Sequence, residues 1–188
     1  PMNCTFGIGT PLTIQGEGTY TLNANGTVTF DPLPNFTGNA TPIKYQIADT
    51  QNRTSSSTIS PVVIPTPIGV ADVSTGDYDK DQIINPLSND LRGASTVPLV
   101  PSTLKLCATS ESPNNCTATS VTIPNEGTYT LNLDGTVTFN PLPTFVGPVA
   151  TPVTYQVTDV LGRTADADIR PTVLPPPPPI ATPETRVV

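Results

Sequence analysis

One stretch of this chain occurs twice, and this repetition constrains the fold more than any other feature. Residues 18–38 open with GTYTLNANGTVTF, and residues 127–147 open with GTYTLNLDGTVTF. Residues 41–49 likewise match residues 151–159. Self-similarity at a fixed spacing is typical of proteins built from tandem units. The sequence therefore predicts one structural unit that returns with a period of about 110 residues.

The repeated stretch is predicted to be a β-hairpin with a three-residue loop. Its apolar residues alternate with threonine, which is the period-two pattern of a half-buried strand. Residues paired across a hairpin share a face, so Leu131 should lie opposite Val137. That pairing leaves residues 133–135 as the loop, with Gly135 in the left-handed conformation. A two-residue turn would put the two apolar rows on opposite faces. The first copy predicts the same loop at residues 24–26.

The composition favours an all-β protein. Threonine, valine and isoleucine are frequent, and 24 prolines and 13 glycines interrupt them, which favours short strands with tight corners over helices. The formal net charge of −7 argues against binding to nucleic acid or to an anionic membrane surface. No apolar run reaches the ~18 residues of a membrane-spanning helix. We therefore expect no nucleic-acid partner and no membrane insertion in this segment.

The alignment of the two copies divides the chain into three parts. Residues 1–66 are expected to be the C-terminal half of a first β-sandwich repeat, and residues 67–175 a complete repeat. Residues 176–188 are expected to be a proline linker followed by the first strand of another repeat. Because proline fixes φ and favours extended backbone, the runs Pro65 to Pro67 and Pro175 to Pro179 indicate stiff spacers.

Short strands are predicted throughout the complete repeat. They are expected near residues 68–72, 82–87, 103–108, 115–123, 128–132, 136–140, 151–158 and 164–173. Strands of this length with proline and glycine corners are typical of an antiparallel immunoglobulin-like sandwich. The predicted fold class is therefore all-β, with tandem immunoglobulin-like antiparallel β-sandwich repeats.

The repeated pattern resembles a known family. After the Gly-x-Tyr-Thr-Leu-Asn hairpin come Pro, Phe and Gly, then Thr-Pro-Val-x-Tyr-Gln-Val-x-Asp and a closing Pro-Thr-Val. This pattern, at residues 16–63 and 125–173, resembles the CshA-type fibril repeat of bacterial surface adhesins. Residues 85–90 resemble the opening of the broader cadherin-like and immunoglobulin-like adhesin repeats. The resemblance implies a secreted, tandemly repeated stalk protein at the cell surface, and it brings no catalytic residues.

Two cysteines flank a predicted loop tip. Cys107 and Cys116 enclose eight residues between two predicted strands. Metal binding and a reactive thiol are the alternatives, but with no histidine and no second cysteine pair a zinc site cannot be assembled in one chain. We expect a disulfide that stabilises the hairpin by roughly 2–3 kcal/mol, in an oxidising compartment. Cys4 has the sequence context of Cys116, so we expect it to be unpaired within this chain.

The acidic residues of the complete repeat raise the question of calcium. Asp77, Asp79 and Asp81 alternate along the chain, and Asp72 precedes them. The run begins like a calcium loop, but the glycine and the distal glutamate of that motif are absent. A solvated acidic turn is the preferred interpretation. The sequence predicts no metal site and leaves calcium open.

Catalysis finds no support in the sequence. General-base chemistry usually draws on histidine, which this chain lacks. No nucleophile elbow, phosphate loop or dinucleotide fingerprint occurs, so we expect neither an enzyme nor a cofactor. Most aromatic residues form copied pairs that alternate in phase with the apolar rows, which predicts a sandwich core and argues against a stacking platform. The pairs are Tyr20/Tyr129, Phe30/Phe139, Phe36/Phe145 and Tyr45/Tyr155.

The expected function is that of a structural stalk repeat, which provides spacing or assembly without catalysis. Its expected partners are neighbouring repeats, with identical chains in a filament or a host ligand as further candidates. One alternative is a ligand- or glycan-binding module that uses residues 107–116 or 88–102. Another is a filament subunit whose C-terminal strand, residues 180–188, joins the sheet of another chain.

Glycosylation is left open by the sequence because it depends on the machinery of the source organism. The Asn-x-Ser/Thr sequons lie at Asn3, Asn25, Asn35, Asn39, Asn52 and Asn115.

Overall fold

The repeated sequence folds into strands in both of its copies. The computed structural model describes residues 7–108, 116–181, 183 and 186. In these residues the regular structure is all β, with one 3-10 turn and no α-helix. The chain divides into two units, Pro1–Pro65 and Thr66–Val188.

The first unit contains three small antiparallel sheets. Its strands are β1 (Leu12–Ile14), β2 (Gly18–Leu22), β3 (Val28–Pro32), β4 (Gly38–Asn39), β5 (Ile43–Ala48), β6 (Thr54–Ile59) and β7 (Val62–Val63). The sheets are β1-β2-β3, β4-β7 and β5-β6.

The second unit is a two-sheet sandwich. Its strands are β8 (Asp72–Gly76), β9 (Gln82–Ile84), β10 (Leu99–Leu106), β11 (Ser120–Ile123), β12 (Gly127–Leu131), β13 (Val137–Pro141), β14 (Gly147–Pro148), β15 (Val153–Asp159) and β16 (Thr164–Val173). One sheet has the order β10-β15-β16-β14, with β8 added parallel to β16. The other has the order β11-β12-β13-β9. The predicted all-β antiparallel sandwich is therefore confirmed.

The core of the second unit lies between these sheets. Alternate residues of β15 are buried along its whole length, as period-two alternation requires of a strand with one covered face. Tyr129, Phe139 and Tyr155 are completely buried in one cluster with leucine, isoleucine and valine from both sheets. Each large apolar side chain removed from water in this way stabilises the fold by ~1.5–3 kcal/mol.

The predicted hairpin register is confirmed in both units. Leu131 lies opposite Val137, and the backbone of Asn132 bonds to that of Thr136 to close the loop. Gly135 has φ 85°, a left-handed conformation that glycine adopts without steric cost. In the first unit the corresponding β2–β3 pairing has the same register, and the corresponding glycine has φ 83°.

Several strand boundaries in the second unit differ from the prediction, among them that of the strand expected at residues 115–123, which begins at Ser120. The first strand begins at Asp72, because Ile68 instead forms an isolated bridge with Leu91. The second ends at Ile84, because Pro86 opens a 3-10 turn and cannot donate to a ladder. The third begins earlier than predicted, at Leu99, and its pairing with β15 shifts register between Val100 and Lys105.

The copied aromatics were predicted for the most part to belong to a sandwich core, and Tyr45 does not. Tyr155 is completely buried, whereas its counterpart Tyr45 is 38% exposed. The physical reason is that β10 covers the edge of β15, whereas among the described residues β5 pairs with β6 alone.

Candidate functional site

A buried tyrosine connects the core of the second unit to the loop that precedes β10. The Tyr155 hydroxyl lies 2.7 Å from Asp90 Oδ1 and 3.1 Å from the carbonyl oxygen of Pro86. Asp90 Oδ1 also accepts a hydrogen bond of 2.8 Å from the backbone N–H of Val70. This one carboxylate therefore holds the turn at residues 86–90 against both the first segment of the unit and β15. Sequence reasoning noticed the Asn-Asp pair but did not connect it with the tyrosine.

Asp72 belongs to the same cluster. It is 5% exposed, and its Oδ2 atom is buried without a hydrogen-bond partner, as is Oδ2 of Asp90. Burial, followed by the charge of Asp90, raises the pKa of Asp72 to about 7, against hydrogen bonds from Tyr155 and Asn89 that lower it. Burial also raises the pKa of Tyr155, with a contribution from its hydrogen bond to Asp90. Asp72 is thus a buried carboxyl that favours its protonated form.

The acidic turn considered for calcium has other contacts. Asp81 Oδ1 accepts a hydrogen bond of 2.6 Å from Asn140 Nδ2, and the Tyr78 hydroxyl donates to the carbonyl oxygen of Pro143. These contacts fix the turn to the sheet that contains β13. No group of three or more acidic, histidine or cysteine side chains in the described part of the chain is arranged to hold a metal ion. Asp72, Asp77, Asp79 and Asp81, which all lie within the described residues, form no such group.

An aspartate–arginine turn ends the central strand of each unit. Asp159 Oδ1 accepts hydrogen bonds of 2.9 Å from the backbone N–H groups of Leu161 and Arg163, and Oδ2 accepts one of 2.8 Å from Arg163 Nε. Burial raises the pKa of Asp159, but the hydrogen bonds from Arg163 and Leu161 outweigh it and lower the pKa overall. Asp49 and Arg53 repeat the arrangement. Each aspartate therefore initiates the turn that follows its strand.

A glutamate clamp also occurs in both units. Glu126 Oε1 accepts hydrogen bonds from the backbone N–H groups of Ala150 and Thr151 at 3.0 and 3.2 Å. In the first unit Glu17 accepts from the backbone N–H and the hydroxyl of Thr41, both at 2.6 Å. The Thr41 hydroxyl and then its N–H lower the pKa of Glu17. Sequence reasoning missed this clamp, although the copied Glu-Gly dipeptide before each repeated strand was the available signal.

Cys107 and Cys116 are both buried and are joined by a disulfide, with 4.2 Å between their Cα atoms. The bond closes the loop that follows β10. Residues 109–115 of that loop lie outside the described residues. So do Cys4 and the sequons at Asn3 and Asn115.

Two of the open grooves on the surface of the second unit lie beside β10. One, of about 370 Å³, lies between β10 and the hairpin tip and is lined by Pro101, Lys105 and Leu133 among others. The other, of about 320 Å³, is lined by Leu87, Asp90, Arg92 and neighbouring residues. The first groove contains one carboxylate, Asp134, and the second contains Asp90.

In the part of the chain that the structure describes, there is no helix long and apolar enough to cross a membrane.

Comparison with known proteins identifies the repeat. A family model described as the surface adhesin CshA repetitive domain matches residues 7–63 and again residues 65–173. The comparison with curated proteins finds no match. Among solved structures, an endo-fucoidan hydrolase of glycoside hydrolase family 107 is 18% identical with a TM-score of 0.31. That alignment covers 87% of this chain but 23% of the hydrolase, and at this level of similarity it carries no argument. The two matches to the family model together cover most of this chain. The chain therefore belongs to the CshA repeat family of surface adhesin domains.

Proposed function

We propose that this chain is a stalk segment of a long bacterial cell-surface fibrillar adhesin or extracellular filament. In this role it acts as a spacer and not as a catalyst. The observation that supports this most is that one frame is built twice with the same register. Both units have the hairpin loop, the aspartate–arginine turn and the glutamate clamp. Repeats that stack along one dimension give a reach that scales with copy number.

In this proposal residues 67–175 form a complete β-sandwich repeat with a period of about 110 residues. Residues 1–66 form the C-terminal half of another repeat, and residues 176–188 a proline linker with the first strand of a third. The run Pro175 to Pro179 is exposed and outside any strand, as a polyproline spacer should be. Such a spacer resists collapse between neighbouring sandwiches.

The disulfide supports an extracellular location. A bond between Cys107 and Cys116 would persist in an oxidising compartment and be reduced in a cytoplasm. By closing the loop after β10 it would stabilise the repeat by roughly 2–3 kcal/mol. Intact-mass measurement of the secreted protein before and after alkylation tests this, because two free thiols at these positions would contradict it.

The stalk role is tested by length. We expect arrays of two, four and six copies of residues 65–175 to give particles whose length, in small-angle X-ray scattering, rises by a constant increment per copy. A ten-residue strand such as β16 spans ~33 Å, so the increment should be about 3–5 nm. Arrays that collapse to a globular size independent of copy number would contradict the proposal.

A ligand- or glycan-binding role is the second candidate. It is favoured by the groove of about 370 Å³ beside Leu133, a leucine fully exposed at the hairpin tip. In the first copy the corresponding residue is Ala24, so the feature is particular to the second unit. Glycan-array binding by the chain that is lost in Leu133→Ala, with unchanged melting, would support this role.

A further inference from the structure

In the first unit one threonine satisfies both the glutamate clamp and a core tyrosine. The hydroxyl of Thr41 donates to Glu17 Oε1 and its backbone N–H donates to Glu17 Oε2, both at 2.6 Å. The carbonyl oxygen of Thr41 accepts a hydrogen bond of 2.8 Å from the hydroxyl of Tyr20, a side chain that is completely buried. The carboxylate and the phenol therefore meet at the same residue, and each has a partner there.

The corresponding groups of the second unit lack these partners. The N–H groups of Ala150 and Thr151 both donate to Glu126 Oε1, whereas Glu126 Oε2 is buried with no hydrogen-bond partner among the described residues. The Tyr129 hydroxyl is likewise buried and unpartnered. Glu126 is 7% exposed and Tyr129 is completely buried, so bulk water does not reach these two atoms. Buried polar atoms in folded proteins almost always have a partner, in the protein or in ordered water.

A loop that is one residue longer explains the difference. The backbone N–H of Ala40 bonds to the carbonyl oxygen of Pro61, and that of Val149 bonds to the carbonyl oxygen of Pro171, so these two donors are equivalent. Strand β5 begins at residue 43, three residues after Ala40, whereas β15 begins at residue 153, four residues after Val149. With the extra residue, two backbone N–H groups bind one oxygen of the glutamate, and no threonine hydroxyl reaches the other.

The two unpartnered atoms belong to the same part of the second unit. The aromatic rings paired between β2 and β3 are 4.6 Å apart and those paired between β12 and β13 are 4.7 Å apart, in the same register. Tyr129 therefore has the position of Tyr20. Because Tyr20 and Glu17 converge on one loop residue, Tyr129 and Glu126 converge on the corresponding loop. Burial, followed by the charge of Glu126, raises the pKa of Tyr129, as a nearby carboxylate should.

The chemistry of this place suits a water molecule better than a metal cation. Water can donate to a carboxylate oxygen and accept from a phenol, and buried waters satisfy protein groups in this way. A calcium ion instead takes about six to eight oxygen ligands. The clamp offers one carboxylate, and the two N–H groups that already donate to Glu126 Oε1 would repel a cation.

We propose that the second unit binds one ordered water molecule between Glu126 Oε2 and the Tyr129 hydroxyl, and that this water replaces the contacts made by Thr41 in the first unit. The water donates to Oε2 and accepts from the phenol, so both atoms gain a partner. The clamp of the second unit is then completed by water, whereas that of the first unit is completed by a side chain. This binding site concerns the interior of one repeat and does not depend on the stalk role.

Removal of the phenol hydroxyl tests the water by the sign of the effect. Tyr129→Phe removes a water-mediated hydrogen bond, so the unfolding equilibrium constant of the second unit should rise about five-fold. A dry hydroxyl would give the opposite sign, because removing an unsatisfied buried polar group stabilises a fold. The constant is measured on the full chain as the hydrogen-exchange rate of the amides of residues 153–159, which reports opening of this unit.

Tyr20→Phe is the matched control. It removes a direct hydrogen bond to the protein, so the amides of residues 18–22 should exchange faster by a similar factor. A high-resolution crystal structure of the full chain gives the direct observation. We expect a water oxygen at about 2.6–3.2 Å from both Glu126 Oε2 and the Tyr129 hydroxyl oxygen.

Several results would overturn the proposal. Exchange of residues 153–159 that is unchanged or slower in Tyr129→Phe is one of them. A crystal structure in which Glu126 Oε2 and the Tyr129 hydroxyl bond directly to each other, or in which no water contacts both, is another. A melting temperature that rises with added calcium chloride in the natural chain but not in Glu126→Gln would identify a cation as the occupant and would also overturn it.

Discussion

At the scale of single residues, the most informative group is the buried Asp72 with the half-buried Asp90 beside it. Nothing in the sequence indicated the pair, because the two residues are far apart along the chain and only the topology of β8 and the turn at residues 86–90 brings them to one tyrosine. The aspartate–arginine turn could be predicted, since its residues are close in sequence and copied. Local hydrogen-bond motifs are visible in a sequence, whereas long-range polar contacts depend on the fold.

The pair predicts an unusual pH dependence. The pKa of Asp72 is about 7 in the folded state against an ordinary 3.8, so between these values the folded state binds more protons than the unfolded state. Its contribution to stability is therefore present at low pH and is lost as the pH rises toward 7. Asp72→Asn should remove this loss and stabilise the unit above pH 7 by about 2–3 kcal/mol.

Urea denaturation between pH 4 and pH 8 measures the effect. Asp77→Asn is the control, because it removes the same charge from an exposed position. The variant and the natural chain should converge near pH 4 and separate as the pH rises. Curves that remain parallel, or equal gains from both variants, would contradict the assignment.

The two aspartate–arginine turns should differ in importance. The Asp159 side chain is fully buried, whereas that of Asp49 is 39% exposed, so Asp159→Asn replaces the buried, charged oxygen that accepts from Arg163 Nε with an amide NH2 group. We expect Asp159→Asn to lower the melting temperature at least about twice as much as Asp49→Asn does, since exposed ion pairs contribute little. Differential scanning calorimetry that finds equal shifts would contradict this explanation.

At the scale of elements, the hairpin shows how much of a local structure can be predicted from the sequence. Residues paired across a hairpin share a face, and this rule predicted its register and its loop. A shift of one residue would turn Tyr129 and Phe139 out of the core. The ends of the strands, and the shortest strands, were less predictable. The two-residue strand β14 was missed, and β10 extends further than expected across Pro101. Proline has no N–H to donate, so a strand position tolerates it only where no neighbouring strand needs that hydrogen bond. Which positions these are depends on the assembled sheet.

Two glycines of the hairpin should respond differently to alanine. A Cβ at Gly127 would lie 2.4 Å from the carbonyl oxygen of Asn140 and 2.9 Å from Cα of Pro141, so the paired strands must move apart. At Gly135 a Cβ would lie 3.9 Å from Cβ of Pro101, an ordinary contact, so the cost is that of the left-handed backbone. We expect Gly127→Ala to destabilise the second unit by about 3 kcal/mol or more, as overpacking against backbone does, and Gly135→Ala by about 1 kcal/mol. Equilibrium unfolding that reverses this order would contradict the register.

At the scale of the whole molecule, the family match and the duplicated frame support a protein whose parts repeat along its length. The sequence predicted this architecture because tandem duplication is visible without any structure. It did not predict that the first unit would leave Tyr45 exposed, since burial depends on strands that residues 7–65 do not provide.

The central claim is that one complete repeat is an independently folded sandwich that resists extension. Force spectroscopy on a tandem array of residues 65–175 tests it most directly. We expect a series of equal unfolding steps of roughly 35 nm, because an extended residue spans at most ~3.6 Å and the disulfide withholds the short loop it closes. Reduction of the disulfide should lengthen every step by about 3 nm. Gradual extension without steps, or steps of unequal size, would contradict the claim.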